Sequence, residues 1–148
     1  MTGVQTCALP ISGLETEAAL QQIQGRNPDG TRNPALPVLL DVPNLIDYMI
    51  LHIFAAARDW PNHNWWAGRR RGALSDGFHF FPWDQEISND DEIRTGSVIF
   101  PGSFETVSAA NCPAILYDKL RQGPVFKDRF RERRSEERRV GKECLWLC

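Results

Sequence analysis

Cysteine is scarce in the body of this chain. Of its four cysteines, Cys7, Cys144 and Cys148 lie in the terminal segments and Cys112 stands alone in the body. They give no disulfide framework and no metal-ligand spacing, so the redox compartment stays open. Long hydrophobic runs are also missing: the longest apolar stretch, at 45–57, contains Asp47 and His52 and is too short to span a bilayer. Neither sign of charge dominates, because 17 basic residues against 19 acidic ones leave a net charge of −2. That balance provides no general drive toward nucleic acid. There is no internal repeat, and the first residues lack the basic start and apolar core of a signal peptide. What remains is 42% hydrophobic content in a length suited to one domain or part of one.

The two ends differ in character from the middle. Residues 1–12 and 135–148 resemble translated sequencing-adapter readthrough of the kind found in metagenomic assemblies, and both are set aside from fold reasoning. On this reading residues 13–134 are an internal fragment of a larger protein, and a missing leader says nothing about secretion.

Within the middle, 15–23 reads as a short helix, and 25–37, rich in Gly, Pro and Asn, as a loop or linker. Asp41-Val42-Pro43-Asn44 reads as a helix start, with Asp41 able to cap and a proline in the first turn. Leu45, Met49, Ile53 and Ala56 recur at helical spacing while Ile46, Ile50 and Phe54 widen the stripe, which predicts a helix buried on most of its surface. Pro61 ends helical character. Trp65-Trp66-Ala67 then starts a strand, 69–77 supplies a polar turn, and Phe78-His79-Phe80-Phe81 returns as the partner strand. The segment 88–107 shows no sustained period. Two helices are expected near its end, at about 113–122 and 124–134.

The chemistry concentrates between Arg58 and Glu86. Arg58-Asp59-Trp60-Pro61-Asn62-His63-Asn64 carries an aspartate and, five positions on, an asparagine; the hairpin then delivers Asp84 within Phe80-Phe81-Pro82-Trp83-Asp84. Acid, amide and acid in that order is the set that kinase-type phosphoryl transfer uses. Such a reaction leaves a protein little covalent work beyond orienting the attacking hydroxyl and stabilising charge around magnesium and the phosphates. Hard oxygen ligands suit that ion. Asp59 fills the place of the residue near the acceptor hydroxyl, and Asn64 and Asp84 fill those of the metal ligands.

The segments Leu39-Leu40-Asp41-Val42-Pro43-Asn44-Leu45-Ile46-Asp47-Tyr48-Met49, Arg58-Asp59-Trp60-Pro61 with Asn64-Trp65, and Gly77-Phe78-His79-Phe80-Phe81-Pro82-Trp83-Asp84-Gln85-Glu86 resemble the CotH family of atypical, spore-coat-type protein kinases. Upstream 25–31 and downstream 114–130 fit the same pattern. The resemblance implies an α+β fold: part of the mainly helical C-lobe of a kinase-like domain, with a β-hairpin bearing the metal aspartate and the N-lobe largely absent. It implies phosphate transfer from Mg-ATP to Ser/Thr hydroxyls of a protein substrate. Asp59 becomes the catalytic aspartate, Asn64 and Asp84 bind the Mg2+ nucleotide, and Glu86 is an additional metal ligand. An extracytoplasmic, cell-surface or spore-coat location is the corresponding expectation. Ala57-Arg58 stands where ordinary protein kinases have His-Arg, and Gln85-Glu86 where they have Phe-Gly, which argues for the atypical family.

These 148 residues contain no Gly-rich phosphate loop, no strand lysine of the Val-Ala-Ile-Lys kind and no partnering helix glutamate. The chain alone is expected to bind nucleotide poorly and to be inactive. Bland readings stand beside the chemical ones. Trp60, Trp65, Trp66 and Trp83 are read mainly as packing, with a carbohydrate-stacking platform as the alternative. His52 is read as a core histidine, and His63 and His79 lack zinc-ligand spacing. Asp47 faces solvent or pairs with a base. The basic runs 69–71 and 127–134 and the acidic run 89–92 are read as solvated surface; the sharper reading has Arg69, Arg70 and Arg71 receiving nucleotide phosphate or an acidic substrate. Asp84 and Glu86, two apart on a strand, are also a candidate glycosidase pair. A carbohydrate-active or carbohydrate-binding surface protein and a catalytically inactive coat or adhesion protein are therefore the alternatives to a kinase.

Overall fold

A computed structural model describes residues 13–55, 57, 65–72, 74–86 and 112–144, with side chains from 113 to 136 in the last two helices. In chain order the elements are α1 (Glu17–Ile23), α2 (Val42–Ala55), β1 (Trp65–Arg69), β2 (Phe78–Pro82), α3 (Cys112–Leu120) and α4 (Pro124–Cys144). This α+β composition agrees with the fold class expected. The excursion at 88–107, the site residues Asp59 and Asn64, and the first twelve residues lie outside the described part. No helix among the described residues is long and apolar enough to cross a membrane.

The first two helices start where their sequence supplies a cap. Thr16 accepts the Ala19 N–H at 3.3 Å to begin α1, and Asp41 accepts the Asn44 N–H at 3.0 Å to begin α2, satisfying donors that the first turn leaves orphaned. The face α2 buries is formed by Val42, Leu45, Ile46, Tyr48, Met49 and His52. It is narrower than the apolar pattern predicts, since Leu51 is 44% and Phe54 85% exposed. At about 100° per residue, Phe54 sits roughly 140° round the helix from Met49, too far to share its contacts. Apolar content overstated burial because the last turn of α2 presents one side to solvent.

β1 and β2 form an antiparallel hairpin with Trp65 opposite Pro82 and Arg69 opposite Phe78. Directly opposed residues share a face, so Trp65 and Phe80 point inward, where both are buried with ring centroids 6.2 Å apart. Trp66 and Phe81 point outward. On its other side β2 meets the segment before α2: Phe78 N–H donates to the Leu39 carbonyl at 2.9 Å and Asp41 N–H to the Phe78 carbonyl at 3.1 Å. These bonds form a parallel bridge between Leu40 and Phe78. Gly77, at φ +100°, makes that approach possible.

A side chain completes the junction. Asn44, in the first turn of α2, accepts the Phe80 N–H at 2.6 Å and donates to the Phe80 carbonyl at 3.3 Å. It thus pairs with the middle of β2 as a further strand would. Asn44→Ala leaves both backbone groups unpaired in a partly buried place, at a cost of about 2 kcal/mol. Urea unfolding should show a lowered midpoint with unchanged slope; an unchanged midpoint would mean that the clamp contributes nothing.

α3 and α4 close the other side of α2, with Leu116, Leu120 and Phe126 fully buried in the same core as Leu45 and Met49. Arg133 donates from Nε and Nη2 to the two carboxylate oxygens of Asp47 at 2.7 and 2.9 Å, so Asp47 is the ion-paired residue of the two options. α4 extends past the expected boundary at 134 to Cys144. Apart from Gly141 its second half is composed of residues compatible with helix and has no proline, and Arg133 also pairs with Glu136 one turn on.

The 25–37 segment is braced rather than a linker. Arg26 and Arg32 form an antiparallel bridge, and Asn33 N–H donates to the Gly25 carbonyl at 3.0 Å. The Arg32 guanidinium bonds the carbonyls of Gly25, Asn33 and Leu36.

Candidate functional site

The described part of the site is built on the end of β2. Pro82 is the last strand residue, and the chain then turns at Asp84, whose φ of +55° is the only positive value at a non-glycine residue among those described. Aspartate tolerates the left-handed region better than most residues, at some cost. Gln85 holds the turn locally by donating from Nε2 to the Trp83 carbonyl at 2.8 Å. Upstream, the Asn44 clamp on Phe80 fixes the strand that delivers this turn. Strain of this kind concentrates at functional positions. Asp84 and Glu86 are both exposed.

This geometry removes the basis of the glycosidase pair. Alternation requires both residues on one extended strand, but β2 stops at Pro82 and Asp84 is left-handed. Two-residue spacing therefore does not align the two carboxylates. Asp59 and Asn64 fall outside the described residues, so their approach to Asp84 is not part of the geometry.

The donor chemistry is compatible with magnesium. That ion keeps several waters and takes one or two carboxylates plus substrate phosphates rather than an all-protein cage. Asp84 is a hard oxygen donor of that class.

The neighbouring residues sort into structural and exposed sets. His52 is fully buried, its Nδ1 2.8 Å from the Tyr48 carbonyl, and burial lowers its pKa; it is a core histidine. His79 lies between Asp76 (Nε2 to Oδ1, 3.1 Å) and Asp41 (Nδ1 to Oδ2, 3.4 Å). Its hydrogen bond is the main cause of a lowered Asp76 pKa. Of the tryptophans expected to pack, Trp65 does so at 8% exposure, whereas Trp66 and Trp83 are 59% and 69% exposed; Trp60 lies outside the described residues. Among the described residues Trp66 has its cross-strand neighbour Phe81 as its ring partner, tilted at 40° with 5.2 Å between centroids.

The arginine run does not adjoin Asp84. Arg69 pairs with Phe78 at the turn end of the hairpin, whereas Asp84 follows Pro82 at the open end. Four strand steps of about 3.4 Å separate those ends by roughly 14 Å. A nucleotide phosphate held at Asp84 is thus out of reach of Arg70 and Arg71. Sequence reasoning also missed Asn44, which it read only as part of a helix start.

No curated protein and no solved structure matches the chain. A family model described as CotH kinase protein matches residues 17–140, from the start of α1 into the last turns of α4. With that match covering well over half of its length, the chain belongs to the CotH kinase family.

Proposed function

We propose that this domain carries the catalytic and metal-binding residues of a phosphotransferase that moves phosphate from Mg-ATP to Ser/Thr hydroxyls of a protein acceptor. The observation that carries the reading is Asp84: a carboxylate in left-handed backbone, two residues beyond a strand pinned by Asn44, in a chain of the CotH kinase family. When bound, Mg-ATP supplies the transferable phosphoryl group and neutralises its developing charge. Asp59 orients the acceptor hydroxyl and takes its proton. Asn64, through its amide oxygen, and Asp84, through its carboxylate, hold the metal, with Glu86 as an additional donor. A cell-surface or spore-coat setting accompanies this reading.

The exposed aromatics Trp66, Phe81 and Trp83 favour one competitor, a carbohydrate-binding surface. Thermal melting separates the two. In a polypeptide that also supplies a Gly-rich loop and strand lysine, Mg-ATP at a hundred times its Kd stabilises by about 2.7 kcal/mol. For a domain of this size that is a rise in Tm of roughly 5–10 °C, and chelating the magnesium removes it. The 148-residue chain alone shifts much less. A response to glycans with none to Mg-ATP would replace the kinase reading by the carbohydrate one.

A further inference from the structure

Between the braced 32–38 loop and the turn end of the hairpin lies a cleft of about 520 Å³, within the usual range for ligand sites of roughly 300–1,000 Å³. Arg32, Arg69 and Arg70 line it together with Leu36, Val38 and Ser75, and among the described residues no carboxylate lines it; Asp76, an electrostatic neighbour of Arg70 just outside the lining, is the carboxylate to be counted against an acidic ligand. Its walls are held in place before any ligand arrives. The Arg32 guanidinium is bonded to three loop carbonyls, and the Arg69 guanidinium lies over the Phe78 ring, 5.2 Å from its centre. The Ser75 hydroxyl oxygen is buried and finds no hydrogen-bond partner among the described residues. A buried polar atom without a partner is uncommon and calls for one.

We propose that this cleft docks an extended acidic segment of the protein acceptor. The inference rests on the phosphotransferase reading for its partner, and on charge and shape for its ligand. Guanidinium groups recognise carboxylates in a fixed planar geometry, and the Leu36 and Val38 wall suits the apolar side chains that alternate with acidic ones in an extended peptide. Fixed walls reduce the ordering cost of binding. A lone phosphate would leave most of the apolar wall uncovered. The cleft lies roughly 15–20 Å from Asp84 along the hairpin, so at about 3.3–3.6 Å per extended residue the acidic stretch is separated from the acceptor hydroxyl by roughly five residues.

The test is fluorescence anisotropy at low ionic strength, without nucleotide, using a labelled peptide of alternating glutamate and alanine and its glutamine counterpart. The glutamate peptide is expected to bind and the glutamine peptide not. Arg69→Ala with Arg70→Ala should weaken binding at least about tenfold. Arg70→Glu alone, at an exposed residue outside the strand, should do the same with Tm unchanged. Arg131→Ala with Arg134→Ala on α4 should leave binding as it was. Equal binding of both peptides, equal loss on changing α4, or full displacement of the peptide by tripolyphosphate at equal charge would overturn the proposal. Because no phosphate is transferred in this assay, its failure leaves the Mg-ATP response as a separate result, and the reverse also holds.

Discussion

Gly77→Ala is expected to destabilise the domain by at least about 3 kcal/mol. A Cβ at this position would stand 2.6 Å from the Leu40 carbonyl carbon, 2.7 Å from the Leu40 nitrogen and 2.8 Å from the Asp41 nitrogen. All three atoms are backbone, so no rotamer change relieves the clash, and φ is +100°. Left-handed or extended positive-φ backbone costs a residue with a Cβ about 1–3 kcal/mol before any contact is counted. Moving the 39–41 segment away breaks the bonds from Phe78 N–H to Leu39 and from Asp41 N–H to Phe78, each worth about 1 kcal/mol. The Asp41 cap and the Asn44 clamp flank that segment, so the damage spreads to the start of α2. Gly72→Ala is the control: its φ is +94°, but nothing lies within 4 Å of the added atom, so only the backbone cost applies. At about 2–4 °C per kcal/mol, Gly77→Ala should lower Tm by roughly 6–12 °C, clearly more than Gly72→Ala. Equal shifts would mean that strand and segment are not in close register.

The same junction marks how far the sequence could be read. The hairpin was legible because two aromatic-rich runs flank a polar turn, and the observed strands begin at Trp65 and Phe78 as that pattern requires. The start of α2 was legible because a cap and a proline are local signals. The second backbone partner of β2 was not. Leu40 reaches Phe78 across 38 positions of chain, and no periodicity reports a single parallel bridge. The Asn44 clamp was hidden for a similar reason, since a polar residue near a helix start reads equally well as solvent-facing. Burial on α2 was overestimated because composition records which residues are apolar, not which side of the helix has a neighbour.

Site chemistry divides along a different line. Residue type and order pointed to Asp59, Asn64 and Asp84 from the sequence, and family membership follows from the match over 17–140. The left-handed backbone at Asp84 had no sequence signal, because the residues after it contain neither glycine nor proline. The arginine run was visible as charge, but its distance from Asp84 depends on strand register, which fixes it at the other end of the hairpin. Composition suggested a loop or linker at 25–37; that it is a braced loop depends on one long side chain, Arg32, bonding three carbonyls at once.

Asp84→Asn is expected to abolish phosphate transfer while leaving the fold intact. Asparagine has nearly the same shape and tolerates left-handed backbone about as well as aspartate, so the turn after Pro82 should survive and Tm should stay within about 2 °C. On the proposed function the lost charge removes the carboxylate that would hold the metal, and deleting one preorganised electrostatic group from such a site costs about 10²–10³-fold in rate. Asp84→Gly sharpens the contrast. Glycine takes φ +55° without steric cost but gives up the interaction that the Asp84 side chain makes, so this variant should keep the turn and be equally inactive. Glu86→Gln, altering only an additional donor, should lower the rate by about tenfold or less. Labelling of an acceptor by radioactive ATP, in a polypeptide competent for nucleotide binding, reads all three. If Asp84→Asn retained labelling within a few-fold, the carboxylate would not be holding the metal, and the strain at this turn would need a structural explanation instead.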